Sequence, residues 1–122
     1  MGIAWGVNST WWAGLILGIL LALAGRFGKG PRRSAGFFLK PLFLLCLICG
    51  FAAVLMGTVA FRLSAAGILP FLRGMSGAVP PGRQPGYMAA LWMHATSYTV
   101  AAMGGSVLAV RVLFQRLEES KE

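Results

Sequence analysis

The one histidine of this chain, His94, precedes Ala95-Thr96-Ser97-Tyr98 inside a long run without formal charge. An ionisable side chain in such a setting is a functional hypothesis by default, because charge is costly in hydrocarbon. A neutral imidazole can ligate a haem or chlorophyll-type metal, with Ser97 and Tyr98 beside it. Ala90, four residues earlier, leaves room for a flat macrocycle. A charged imidazole can relay protons or bind an anionic headgroup. The plainer alternative is a neutral His94 that hydrogen-bonds a hydroxyl or carbonyl of a neighbouring helix and fixes packing. One imidazole does not close a metal site alone, so the sequence by itself implies no metal and no resident cofactor.

Cys46-Leu-Ile-Cys49 has the spacing of a thiol redox pair, but it lies within an apolar run. Hydrocarbon disfavours the thiolate that redox chemistry needs, so the pair reads as small packing residues. The chain contains no Asp, and its three Glu are Glu118, Glu119 and Glu122. That composition excludes paired-carboxylate hydrolysis, carboxylate-held magnesium and proton coupling through buried acids. No nucleotide-binding fingerprint or nucleophile elbow occurs. The expectation is a non-catalytic protein.

The elements that position these residues follow from where charge is missing. The chain has 122 residues, 57% hydrophobic and 11% charged, with a mean hydropathy of +0.75. Soluble domains carry about 25% charge. All 14 charged residues avoid residues 1–25, 41–61 and 84–110. About 20 apolar residues cross a bilayer as a helix. The sequence therefore predicts an all-α integral membrane protein: a single domain over 1–122, three transmembrane helices in a small bundle, with spans at about 5–25, 41–61 and 87–110. A basic connection covers 26–40, a Gly/Pro-rich loop 62–86, and a charged, solvated tail 111–122. Residues 63–72, with Gly67 and Pro70, read as an interfacial or re-entrant piece, or a short helix lying flat.

Positive residues stay on the cytoplasmic side during insertion. The first connection and the tail share eight, against three on the opposite side. The expected location is the plasma (inner) membrane, with the N-terminus outside and the C-terminus cytoplasmic. Trp5, Trp11 and Trp12 suit an outer aromatic belt, and Phe37, Phe38 and Lys40 an inner one. The net charge of +8 is spread over three connections, which favours anionic lipid over nucleic acid. Arg26, Lys29, Arg32 and Arg33 are the candidate contacts for anionic headgroups or an acidic partner.

At 100° per residue each span carries a face of small residues, which lets helix backbones approach closely. Gly14, Gly18 and Ala22 share one with Gly25. Gly50, Ala53 and Gly57 share one with Cys46, Cys49 and Ala60. Ala101 and Gly105 share one with Ala90, His94 and Ser97. These faces serve the protomer, self-association or another membrane protein equally well. In plan, three spans and one histidine, the chain resembles the small haem-anchor subunits of succinate dehydrogenase. Here no Asp accompanies the histidine, and the expected orientation is N-terminus out. The reading with most support is an accessory, assembly or scaffold subunit of a larger membrane complex. Its competitors are a cofactor- or lipid-binding subunit using His94, and a small oligomeric transporter or channel.

Overall fold

A computed structural model describes residues 2–26, 32–71 and 77–121, including the side chains of all of these except residues 2–10. Among the described residues there are three α-helices and no strand: α1 Gly2–Arg26, α2 Ala35–Ala65 and α3 Gln84–Glu119. By length and composition α2 and α3 suffice to cross a membrane, with mean hydropathies of 2.6 and 1.4 over their best windows. Only 11% of each window is buried within the chain.

The helices overrun the charge-free windows. Helix α2 starts six residues before residue 41, so Lys40, whose charge bounds the window, and Pro41 both lie inside its early turns. A proline there removes one N–H bond toward residue 37, while its fixed φ remains helical. The start is set by Ser34, whose carbonyl accepts from the Phe37 N–H at 3.1 Å. The end of α2 is a complete Schellman motif. Gly67 adopts φ +72, its N–H meets the Ser64 carbonyl at 3.0 Å, and the Ile68 N–H meets that of Leu63 at 2.9 Å. Only glycine takes that left-handed position without strain.

This corrects one expectation. No separate short helix forms over the described part of 63–72, because residues 63–65 are the last of α2 and the chain then turns at Gly67 toward Pro70. The Gly/Pro-rich connection is also shorter than 62–86. A 3-10 turn, Pro81–Arg83, leads straight into α3, and Gln84 Nε2 donates to the Val79 carbonyl at 3.2 Å.

The chain packs as two units. The first comprises residues 1–45 and 102–122, with a core of Leu21, Ala24, Phe38 and Val112 flanked by Leu17, Leu42, Leu108 and Ala109. The second, residues 46–101, buries Ala53, Ala60 and Met88. Small residues mark close approaches in each unit. A Cβ on Gly105 would overlap Leu17 Cδ1, one on Gly104 Leu45 Cδ1, and one on Gly57 the Met93 side chain. Gly25 faces the Phe38 ring, 3.0 Å from where its Cβ would lie.

Candidate functional site

Helix α3 positions the His94 group within the second unit. Residues four apart on a helix meet on one face. Tyr98 Oη and His94 Nε2 are accordingly 3.0 Å apart, with the rings edge-on at 4.8 Å and 82°. Either Tyr98 donates to a neutral Nε2, or Nε2–H donates to the phenol oxygen, according to tautomer. His94 is exposed, as are Ala90 and Thr99, whereas Ser97 and Tyr98 are half-buried. Ser97 Oγ does not complete a site with His94, because it donates back to the Met93 carbonyl at 2.8 Å. Thr99 Oγ1 does the same to Ala95 at 2.9 Å. The chemistry open to this group is hydrogen bonding. A metal approaching Nε2 would have to displace Tyr98. Cys46 and Cys49 are both unbridged, and among the described residues no three His, Cys, Asp or Glu converge.

A second polar group forms in the first unit around the end of α1. The last carbonyls of a helix have no intrahelical donor and carry the negative end of its dipole. The Gly25 carbonyl accepts from the Arg33 N–H at 3.0 Å, and the Ala24 carbonyl from Arg116 Nη1 at 3.0 Å. Arg116 is only 2% exposed. Arg33 Nη2 pairs with Glu119, its guanidinium lies 4.9 Å from the centre of the Phe37 ring, and its buried Nε has no hydrogen-bond acceptor among the described residues. Of the other expected basic contacts, Arg26 ends α1 and is exposed, Arg32 is exposed, and Lys29 lies outside the described residues. The Trp5 side chain and Arg73 lie outside them as well.

No protein family, curated protein or solved structure matches the chain.

The small-residue positions divide. Gly57 and Gly105 stand against neighbours and Ala53 is buried, with Ala101 half-buried. Gly14, Gly18 and Gly50 have no described atom within 4 Å of a Cβ, and Ala22 is exposed. The tail needs a correction. Helix α3 continues through it, but Arg116 is buried rather than solvated, because Gly105, Leu108, Val112 and Arg116 continue one packing stripe at spacings of three and four. That stripe is the signal in the sequence for Arg116 and Glu119.

The Arg33–Glu119 pair is half open to solvent, which limits its contribution. Glu119→Gln is expected to lower stability by no more than about 1 kcal/mol, with the deficit closing as salt approaches roughly 1 M. Denaturant titration at two salt concentrations checks this.

Proposed function

We propose that this chain is a non-catalytic subunit of an integral membrane complex, an accessory, assembly or scaffold protein that meets its partner along the polar edge of α3. One observation carries the reading: His94, bonded to Tyr98, is exposed on a helix whose apolar window is itself almost uncovered. A helix apolar on all sides is covered either by protein or by lipid. An imidazole turned to lipid would be costly, and a partner helix offering a donor or acceptor removes that cost. We read helix α1, 25 residues long with its apolar stretch over Trp11–Arg26, as a third crossing. The distribution of Lys and Arg favours a plasma membrane with the N-terminus outside and the C-terminus cytoplasmic.

The test is purification of the tagged chain in mild detergent, read by absorption spectrum and by mass spectrometry of co-purifying chains. A stable heteromer without a chromophore is the expected result. His94→Leu should leave expression intact and weaken the heteromer roughly five-fold, the worth of one interhelical hydrogen bond of about 1 kcal/mol. A chromophore lost in His94→Leu would replace the subunit reading with a cofactor-binding one. A bare homo-oligomer would replace it with a transporter or channel.

A further inference from the structure

Beside the end of α1, within the first unit, lies a cavity of about 320 Å³. Its lining includes Gly18, Ala22 and Arg26 of α1, Phe38 and Leu39 of α2, and Arg33. Its walls include no carboxylate. Arg33 is shared with a second cleft, lined also by Phe37, Gln115, Glu118 and Glu119, where its Nη2 pairs with Glu119. Arg26 has no ion pair among the described residues.

The geometry points to a binding site for one anionic glycerophospholipid, with its phosphate on Arg26, beside the Glu119-paired Arg33, and an acyl chain along Gly18, Ala22 and Leu39. Three features select that occupant. The cations sit at the terminus of an apolar helix, where a headgroup layer begins. The glycine and alanine leave the α1 wall without side-chain bulk: a Cβ on Gly18 meets nothing within 4 Å. From Gly18 to Arg26 the helix rises roughly 12 Å, comparable with the half-thickness, about 15 Å, of a hydrocarbon core. A free phosphate would use the arginines and leave the apolar trough empty. The inference rests on the helices crossing a membrane and is independent of the subunit role, since lipid and partner retention are separate readings of the same preparation.

The full chain is purified in mild detergent, loaded with dioleoylphosphatidylglycerol or dioleoylphosphatidylcholine, and examined by native mass spectrometry. The wild type is expected to retain one phosphatidylglycerol at least ten-fold in preference to phosphatidylcholine. Arg26→Gln should reduce that preference about five-fold, as expected for one basic side chain at an anionic surface. Gly18→Leu fills the trough without altering charge and should abolish retention. A Cβ at Gly18 meets no neighbour within 4 Å, and circular dichroism verifies that each variant is folded before its lipid retention is read. Equal retention of the two lipids, undiminished retention in Gly18→Leu, or complete displacement by millimolar inorganic phosphate would each overturn the proposal.

Discussion

Arg116→Met is expected to unfold about 2–3 kcal/mol more easily than the wild type, and Arg116→Ala by roughly 1 kcal/mol more. The guanidinium donates to the Ala24 carbonyl at 3.0 Å from a side chain 2% exposed. Hydrogen bonds to charged groups contribute about 1.5–3 kcal/mol, and an unmet buried carbonyl costs a similar amount. Methionine fills most of the arginine's volume, so its effect separates the lost polar contacts of the guanidinium from the lost packing. Alanine removes the packed stem as well. Helix-dipole attraction, about 0.3–1 kcal/mol, adds in the same direction. Denaturant or thermal unfolding in one detergent, followed by circular dichroism, measures both. A methionine variant as stable as the wild type would show that water satisfies Ala24 and that the bond stabilises nothing.

Gly105→Val and Gly57→Val form the second large effect, expected at about 2–3 kcal/mol each. At Gly105 the new carbon meets Leu17 Cδ1, and at Gly57 it meets the Met93 side chain, 2.7 Å from Sδ and 3.4 Å from the Ala89 carbonyl oxygen. Leucine and methionine ends can rotate away from a single methyl, but a β-branched side chain pushes the helices apart. Gly14→Ala and Gly50→Ala provide the contrast. With no neighbour within 4 Å, each should be neutral or stabilising by up to about 1 kcal/mol through helix propensity. The same unfolding assay ranks the four. If Gly105→Val and Gly50→Ala unfold together, the close approach at Leu17 is absent.

These contrasts mark where the sequence is legible. Charge-free windows locate the helices, because burying charge in an apolar element is costly wherever it occurs. Their ends were less visible. The second window opens at residue 41 because Lys40 is charged, yet α2 already runs from Ala35, and Gly67 reads as one breaker among several although among the described residues it alone takes the left-handed cap. Spacing assigns a glycine to a face but not to a partner, so Gly18 and Gly105 look alike in the sequence and differ in what they touch. His94 stands out by its rarity, and its hydrogen bond to Tyr98 follows from the four-residue spacing alone. Arg116 does not stand out, because its acceptor lies 92 residues away.

That distance also places a clock on biogenesis. Ribosomes add about 5–20 residues per second, so Arg116 is made roughly 5–20 s after Ala24. Throughout that interval α1 waits with its last carbonyls lacking their guanidinium donor. The nascent first helix is thus a temporary client of whatever inserts it, and its closure waits until residue 116 has been made.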